Sequence, residues 1–307
     1  MTAAPTFHGV LLTFRRPDDL RSTLEILGRQ STPLDTLLVV DNDADPVVRT
    51  VVEATDVGTP VTYLGIPDNP GPAGGLHAGV EEVLTRATDN DWVVFFDDDD
   101  PPQRADALEE LRAVIDELSA TTDRLGGVGL WGAILRPSGR LRAIGGDGPG
   151  TVDYLPGGAM SHYRVAALRA ADGHDPDMFF GFDDLDLGLS IRRAGWELHA
   201  SGLARRHGLA HMVDGRRAST TVGDTGWRRY YSLRNLIATL RRDKRLLAPL
   251  WMSIGPGLAK PLLNLPIAPR AAWANLRVNA RAIAHGWRGI AGKTVDPTTD
   301  PPRWLRN

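Results

Sequence analysis

The sequence of 307 residues contains no cysteine. This absence excludes a disulfide framework and a thiolate metal site, and it favours a reducing compartment such as the cytoplasm. Residues Met1 to Phe7 contain neither a basic stretch nor an apolar stretch, so we expect no signal peptide. From Leu246 to Ala259 the chain is uncharged, but this segment is too short, and too often broken by Pro and Gly, to cross a bilayer as a helix.

Acidic residues are scarce at the C-terminal end. Residues 227–307 contain fifteen Lys or Arg but three Asp or Glu, whereas the whole chain has a net charge of −3. The body is therefore acidic and the tail basic, which indicates an anionic partner for the tail. Anionic lipid and a phosphorylated substrate both fit. Nucleic acid is not expected, because few aromatic residues that could stack on bases lie among these arginines.

Over the first hundred residues, short apolar runs alternate with segments in which apolar residues recur at helical spacing. Leu20, Leu24 and Leu27 recur at the interval of one helix face. The runs predicted as buried strands are Gly9–Thr13, Thr36–Val40, Val61–Leu64 and Trp92–Phe96. With 42% apolar residues available for a core, the alternation predicts an α/β fold with a mostly parallel central sheet and helices on both faces. Further along, we predict a strand over Val128–Leu135 and a loop over Gly145–Gly150.

Four consecutive carboxylates, Asp97 to Asp100, follow the fourth predicted strand. Ligands of open α/β sheets bind outside the carboxyl ends of strands, and adjacent carboxylates raise one another's pKa unless a cation intervenes. In an extended segment Asp97 and Asp99 point the same way and could share one ion. Mg²⁺ and Mn²⁺ both favour such oxygen ligands. The alternative is a solvated acidic turn ahead of Pro101.

Two further segments suit a nucleotide. Asn69 to Gly75 is a glycine-rich loop before a predicted helix, where a backbone can approach a phosphate closely. Such loops are also common without a ligand. Asp41 ends the second predicted strand, at the sheet edge where ligands bind, and its alternative role is to cap its own loop.

A second acidic cluster follows an aromatic run. Phe179 to Phe182 precede Asp183, Asp184 and Asp186, where a helix is predicted to begin. A carboxylate beside apolar side chains acquires a raised pKa and suits a general base. The alternative is that Asp183 is the N-cap and the other acids complement the helix dipole. That alternative explains one acid better than three.

Taken in order, these pieces resemble glycosyltransferase family 2, which has the GT-A fold. Phe96 to Asp99 resembles its Asp-x-Asp signature, and Thr13 to Pro17 resembles its first-strand motif. Val39 to Asn42 and Asn69 to Gly75 resemble its second-strand and glycine motifs. The resemblance covers roughly residues 8 to 236, and it implies an enzyme that transfers a sugar from a nucleotide diphosphate donor.

The resemblance also implies roles for individual residues. The base maps to Asp184, with Asp183 as the second choice. Mn²⁺ or Mg²⁺ maps to Asp97, Asp99 and His211, and His207 competes with His211 as the ligand. The residues expected to contact the nucleotide are Thr13, Arg16, Asp41, Asn69, Gly74, Gly75 and Asp98.

The segment from Val152 to Met160 maps to the pocket for the acceptor and the donor sugar. The residues expected there are Trp131, Tyr154, Gly157, Gly158 and Asp186. Aromatic rings offer sugars a flat apolar platform, although Trp131 and Tyr154 suit core packing equally well.

Downstream, Leu209 to Met212 and the stretch from Trp227 to Asn235 are similar to bacterial galactofuranosyltransferases and rhamnosyltransferases. This similarity implies an inverting transfer of galactofuranose or rhamnose from a UDP- or dTDP-sugar. It further implies an acceptor hydroxyl on a cell-wall or surface glycan, or on a polyprenyl-linked acceptor.

We therefore predict a catalytic domain over residues 1–240, with a nucleotide-binding part at about 1–105 and an acceptor and base part at about 125–240. Residues 241–307 are predicted to form a basic, Pro-interrupted helical tail. This tail either lies on an anionic membrane surface, at the inner face of the plasma membrane, or packs on the domain or on another copy.

Two other functions fit parts of the pattern. A sugar nucleotidyltransferase should carry a glycine-rich basic signature near the N-terminus, and Thr13 to Pro17 has arginines without that glycine loop. A non-catalytic carbohydrate- or nucleotide-binding protein on the same fold would not need every acidic residue, yet all of them are present.

Overall fold

A computed structural model of the protein describes residues 4–146, 148–214, 226–245 and 247–297. The strands in these ranges are β1 (Phe7–Thr13), β2 (Thr36–Asp41), β3 (Val61–Gly65), β4 (Trp92–Asp97), β5 (Leu125–Gly129), β6 (Gly132–Leu135), β7 (Leu141–Ile144), β8 (Gly150–Val152), β9 (Ala159–Arg164) and β10 (Glu197–Ala200). The helices are α1 (Pro17–Leu27), α2 (Pro46–Ala54), α3 (Gly71–Leu84), α4 (Ala107–Ser119), α5 (Val165–Ala171), α6 (Asp183–Arg193), α7 (Ala210–Val213), α8 (Gly226–Arg242), α9 (Leu247–Met252), α10 (Lys260–Leu263) and α11 (Pro269–Arg288).

Eight of these strands form one sheet in the order β3-β2-β1-β4-β9-β5-β10-β8, and β6 pairs with β7 in a separate hairpin. The pairs among β1, β2, β3 and β4 are parallel, and so is β5 with β10. The strands β9 and β8 are antiparallel to their neighbours. The α/β fold with a large central sheet is therefore confirmed, and the four neighbouring strands β1 to β4 form its larger parallel part.

The strand order places a topological switch between β1 and β4, because the chain leaves β1 toward β2 and β3 and returns on the other side. In the parallel register Leu12 lies opposite Asp97, and Thr13 lies opposite Asp41. The three strand ends thus bring Thr13, Asp41 and Asp97 to one edge of the sheet, the edge at which ligands bind in open α/β sheets.

Both faces of the sheet are covered, as the near-continuous apolar composition of its strands requires. Successive side chains of a strand point to opposite faces. Leu11 packs with Leu20 and Leu108 in one cluster, beneath α1 and α4. Val10 packs with Val80 in the other cluster, beneath α3. One sheet therefore carries two apolar layers, and the acidic residues remain at its edge.

The structure differs from the predicted elements in the second half of the chain. The single strand predicted over Val128–Leu135 is two strands, β5 and β6, and the break at Leu130 and Trp131 separates the main sheet from the hairpin. The strands β9 and β10 were not predicted. In β9, the polar residues Ser161 and His162 are fully buried, so this central strand lacks the apolar pattern from which buried strands are predicted. The predicted glycine loop ends where β8 begins at Gly150.

The C-terminal helices pack on the rest of the protein along one side. Tyr230 and Tyr231 of α8 share a buried cluster with Phe179 and with Val278 and Ala282 of α11. Helix α8 runs two residues beyond the predicted boundary at residue 240. A π-helical turn (Ser253–Ala259) that contains a proline lies between α9 and α10. Among the described helices, none combines the length and the apolar character needed to cross a membrane.

Candidate functional site

The acidic turn after β4 is anchored through Asp98. This carboxylate is 5% exposed and accepts a hydrogen bond of 2.7 Å from Thr13 Oγ1 and one of 3.2 Å from Arg16 Nη1. Thr23 Oγ1 donates to the Asp98 carbonyl oxygen at 2.7 Å. Asp98 therefore ties the turn to β1 and α1, so that its neighbours on either side, Asp97 and Asp99, are held in place.

Asp97 and Asp99 differ in their surroundings. Burial, the Asp184 carboxylate and the other acids of the turn raise the pKa of Asp97 to about 7. Asp99 is half exposed and forms an ion pair with Arg16. The Arg16 guanidinium thus compensates the outer part of the acidic turn, and Asp97 carries an unfavourable charge at the inner part.

The second acidic cluster begins helix α6 after a strained loop. Phe179, Gly181 and Phe182 all have positive φ angles, between 62° and 76°. Two of these residues are not glycine, so their conformation is unfavourable and must be imposed by the surroundings. Phe182 occupies the N-cap position, and Asp183 is the first residue of the helix. The alternative that Asp183 is the N-cap is therefore wrong.

The Arg234–Asn235 pair of α8 holds this loop, a role that the sequence did not indicate. Asn235 is 2% exposed, and its side-chain amide donates to the carbonyl oxygens of Met178, Phe180 and Gly181 at 2.8 to 2.9 Å. Arg234 is 1% exposed and donates to the Met178 carbonyl at 2.9 Å. The buried pair donates hydrogen bonds to three carbonyl oxygens of this loop and thereby holds the start of α6 in place.

Two glycines bring the acidic clusters together. The Gly157 amide donates to Asp184 Oδ2 at 2.9 Å, and a Cβ atom on Gly157 would lie 2.8 Å from Asp184 Oδ1. A Cβ atom on Gly158 would overlap Asp97 Oδ2. Consecutive Cα atoms are about 3.8 Å apart, so Asp97 and Asp184, 87 residues apart in sequence, face one short stretch of backbone. Burial and the Asp184 charge also raise the pKa of Asp183.

The acidic turn fits a divalent cation on electrostatic grounds. Several carboxylates surround Asp97 and raise its pKa, and a cation would offset that repulsion. His211 is exposed and interacts with Asp100, whose pKa is raised chiefly by burial. The competing residue, His207, is buried and engages Glu110 through Nε2 at 2.7 Å.

The predicted metal ligands are not gathered as one group. Within the ranges that the structure describes, the acidic or histidine side chains that bring three potential ligand atoms within 4.8 Å of one another are His174, Asp183 and Asp184. His174 was not predicted. Its ring is 1% exposed, and its Nε2 lies 3.8 Å from Asp184 Oδ1. A buried histidine in a polar, acidic loop leaves no sequence signal, because the contact is formed by the fold.

The residues expected to contact the nucleotide lie near this edge, but several already have protein partners. Asp41 is fully buried and accepts hydrogen bonds from the Asp43 and Asp45 amides and from the Tyr63 hydroxyl, at 2.7 to 3.0 Å. The capping interpretation therefore accounts for its contacts, and a nucleoside contact of Asp41 stays a prediction.

The glycine segment is also closely packed. Asn69 Oδ1 accepts a hydrogen bond from the Gly71 amide at 3.0 Å. A Cβ atom on Gly74 would lie 2.6 Å from Pro70, and one on Gly75 would overlap Asn42. These glycines allow close approach of protein groups, so the structure gives a packing reason for them. Their role as a phosphate cradle stays a prediction.

Two residues assigned to the acceptor pocket lie elsewhere. Trp131 is 4% exposed and belongs to the core, with its ring edge-to-face against Tyr154 at 6.4 Å. Asp186 faces α8, where Thr239 Oγ1 donates to it at 3.0 Å and Arg242 forms an ion pair with it. Neither side chain is open to a sugar, because local sequence does not reveal which side of α6 or of the β5–β6 break faces the cleft.

The chain resembles known glycosyltransferases in sequence. Residues 10–125 match the model of glycosyl transferase family 2. Over 277 residues the chain is 29% identical to galactofuranosyltransferase GlfT1 of Mycobacterium tuberculosis, and the alignment covers 80% of this chain and 86% of that protein. GlfT1 of Mycolicibacterium smegmatis is 39% identical over 111 residues, which are 36% of this chain and 35% of that protein.

Solved structures with the same fold carry nucleotides and manganese. Mannosyltransferase PcManGT from Pyrobaculum calidifontis, in complex with GDP-Man and Mn²⁺, has a TM-score of 0.52 at 18% identity, over 94% of this chain and 76% of that one. GalNAc-T7 with UDP, GalNAc and Mn²⁺ has a TM-score of 0.57 at 10% identity, over 93% of this chain and 56% of that one. S. aureus TarS 1–349 with UDP has a TM-score of 0.53 at 15% identity, over 92% and 87%. Identities this low establish the fold alone, and the predicted GT-A fold is confirmed.

Proposed function

We propose that this chain, a glycosyltransferase that resembles family 2 and its galactofuranosyltransferases, transfers galactofuranose with inversion from UDP-galactofuranose to an acceptor hydroxyl. The observation that carries the proposal is the approach of Asp97 and Asp184 to the two adjacent glycines, Gly157 and Gly158. One acidic residue at the strand end and one at the helix start then act on a single bound sugar diphosphate.

Asp184 is the proposed base. The Gly157 amide fixes Oδ2, and the side chain is 28% exposed, so a hydroxyl can reach it from the cleft. Asp184 takes the proton of the acceptor hydroxyl as that oxygen attacks the anomeric carbon, opposite the departing diphosphate. Bond formation to the acceptor and bond cleavage to the diphosphate occur on opposite faces of the sugar, which inverts the configuration.

Asp97 and Asp99 are proposed to hold Mn²⁺ or Mg²⁺, with His211 as a further ligand. A bound divalent ion would stabilise negative charge on the leaving diphosphate. Arg16 neutralises Asp99, and Asp98 keeps the turn in place. The chain itself thus supplies an anchored acidic turn and one cationic side chain beside it.

The sugar and the acceptor rest on similarity. The relatives found by sequence are named galactofuranosyltransferases, and solved structures with this fold contain UDP or GDP-linked sugars. We therefore place UDP-galactofuranose before dTDP-rhamnose. As in the sequence-based prediction, the acceptor is a cell-wall or surface glycan, or a polyprenyl-linked precursor of one.

The test compares donors, metals and one variant. Purified protein is assayed for donor turnover with UDP-galactofuranose and dTDP-rhamnose, with Mn²⁺, with Mg²⁺ and with EDTA. We expect turnover of the UDP donor that EDTA abolishes. Asp184→Asn should lower kcat at least about 100-fold, within the range of general-base catalysis, and should keep donor affinity. Asp19→Asn, on the surface of α1, is the matched control.

Donor binding unchanged by EDTA would contradict the metal assignment. Full turnover by Asp184→Asn would contradict the base assignment. A protein that binds the donor without turning it over under any of these conditions would be a binding protein on the same fold.

We also propose that the C-terminal segment lies on an anionic membrane surface, at the inner face of the plasma membrane. Of the eleven exposed large apolar side chains among the described residues, nine lie between residues 247 and 290. They include Trp251, Leu263, Ile267 and Trp273. Exposed apolar residues gathered on one segment indicate an interaction surface, and the basic excess of this segment favours anionic lipid.

Vesicle flotation tests this contact. We expect the protein to bind vesicles with anionic lipid more tightly than neutral ones, and Trp251→Ser combined with Trp273→Ser should reduce binding at least about tenfold. Val47→Ser removes an exposed apolar residue from another surface and is the control. Equal binding by both variants would contradict the proposed surface.

A further inference from the structure

His174 is placed against the base motif by the turn that follows α5. Asp172 and Gly173 both have φ angles of 62°, and this left-handed turn directs the next residue inward. The His174 carbonyl oxygen accepts a hydrogen bond from His77 Nδ1 of α3 at 2.8 Å. The ring packs edge-to-face on Phe95 of β4 at 5.2 Å. Two elements of the nucleotide-binding half therefore fix a residue that belongs to the other half.

The ring is polar, buried and unsatisfied. It is 1% exposed, and neither of its nitrogens has a hydrogen-bond partner in the described part of the protein. A buried polar group without a partner destabilises a folded protein, and an apolar ring of the same shape would remove that penalty. Packing on Phe95 therefore does not explain why this side chain is a histidine.

The unsatisfied ring points toward acidic residues. Its Nε2 lies 3.8 Å from Asp184 Oδ1, and one oxygen of Asp183 also lies within 4.8 Å of the other two ligand atoms. A distance of 3.8 Å exceeds a hydrogen bond. Hydrogen bonds between catalytic groups are often long in a free enzyme and shorten when the substrate binds.

We infer that His174 is the positioning residue of Asp184, with the His174 Nε2–H directed at Oδ1 while the Gly157 amide holds Oδ2. The inference rests on the proposed role of Asp184 as base. With both oxygens oriented, the carboxylate presents its remaining lone pairs in one direction, toward the acceptor hydroxyl. The proton moves from that hydroxyl to Asp184, and His174 keeps its own proton throughout.

Two substitutions separate positioning from packing. His174→Phe keeps an aromatic ring against Phe95 and removes both nitrogens, whereas His174→Gln keeps an N–H donor at a similar reach. We expect His174→Phe to lower kcat at least tenfold, to leave the KM for the donor within twofold, and to raise the thermal unfolding midpoint. His174→Gln should be more active than His174→Phe, and the loss in log kcat should be smaller by at least a third.

The matched control is His162→Phe. His162 is fully buried, packs edge-to-face on Phe7 and also has an unpartnered Nε2 among the described residues. It lies on β9, and acidic groups do not contribute to its lowered pKa, which results chiefly from burial. We expect its kcat to stay within twofold of the wild type.

The inference is overturned if His174→Phe retains kcat within twofold. It is also overturned if both His174 variants lose activity equally while their unfolding midpoints fall, since that result indicates a structural role. Asp184→Asn separates this result from the proposed function. If that variant is inactive while His174→Phe is fully active, the base assignment stands and the positioning role fails. If Asp184→Asn is active, the base assignment itself fails.

Discussion

Replacing Asp97 by Asn should stabilise the metal-free protein at alkaline pH. The pKa of this carboxyl rises from 3.8 to about 7 on folding, so the folded state binds more protons than the unfolded state between about pH 4 and pH 7. The free energy of unfolding contributed by this group therefore falls as the pH rises through that window. The amide of Asn does not titrate, and the variant lacks this fall.

The size of the effect follows from the shift. One unit of pKa corresponds to about 1.4 kcal/mol, which sets an upper limit of about 4 kcal/mol for the ionised carboxylate. Neighbouring acids share the repulsion and can take up protons in its place, so we expect about 2 kcal/mol at pH 8 and almost no difference at pH 4.

Urea unfolding at pH 4.5, 6 and 8 in EDTA measures this difference. Asp99→Asn is the control, because Asp99 is half exposed and pairs with Arg16, and exposed ion pairs contribute about 0–1 kcal/mol. Saturating Mn²⁺ should raise the stability of the wild type at pH 8, by about 2.7 kcal/mol at 100 times the dissociation constant. It should not stabilise Asp97→Asn. The reasoning is refuted if wild type and Asp97→Asn show the same dependence on pH in EDTA.

Two further outcomes are expected. Gly158→Ala places a methyl group on the Asp97 carboxylate and should lower kcat at least about tenfold, because displacements of about 1 Å at reacting groups have large effects. The control is Gly255→Ala, which should be active in the same assay because the nearest atom to its added methyl group lies 3.6 Å away. Equal activity of the two variants would argue against the clash at Gly158. Asn235→Ala removes the donor to three loop carbonyls and should lower the free energy of unfolding by about 1–3 kcal/mol and also lower kcat, as measured by urea unfolding and donor turnover. Asn264→Ala, on an exposed loop, is its control. An Asn235→Ala enzyme as stable as this control would contradict the proposed support of the loop.

The strand ends could be predicted because their signal is local. An apolar run followed by acids, as at Trp92 to Asp100, indicates both the strand and the edge where its charges lie. The same reasoning placed Asp184 at the start of a helix. The meeting of Asp97 and Asp184 could be expected only from the resemblance, since 87 residues separate them and periodicity carries no information about distant contacts.

The errors have physical causes as well. The strand β9 was missed because buried Ser161 and His162 interrupt its apolar pattern, and their side chains bond to the nearby carbonyl oxygens of Pro156 and Met160. Asp186 was assigned to the pocket because it lies next to the base motif in sequence, whereas the helical rotation turns it toward Thr239. Helical rotation and sheet order determine which side of a motif faces the cleft, and neither is legible from composition.

The bare backbone at Gly157 and Gly158 has a consequence for changing the enzyme's selectivity. At these two positions only peptide groups lie next to the acids, and any side chain there would collide with Asp97 or Asp184. These two positions cannot be varied to accommodate a different sugar ring. Efforts to redirect the enzyme to another donor therefore have to alter side chains that surround Gly157 and Gly158. Libraries that randomise these two glycines will mostly yield inactive protein.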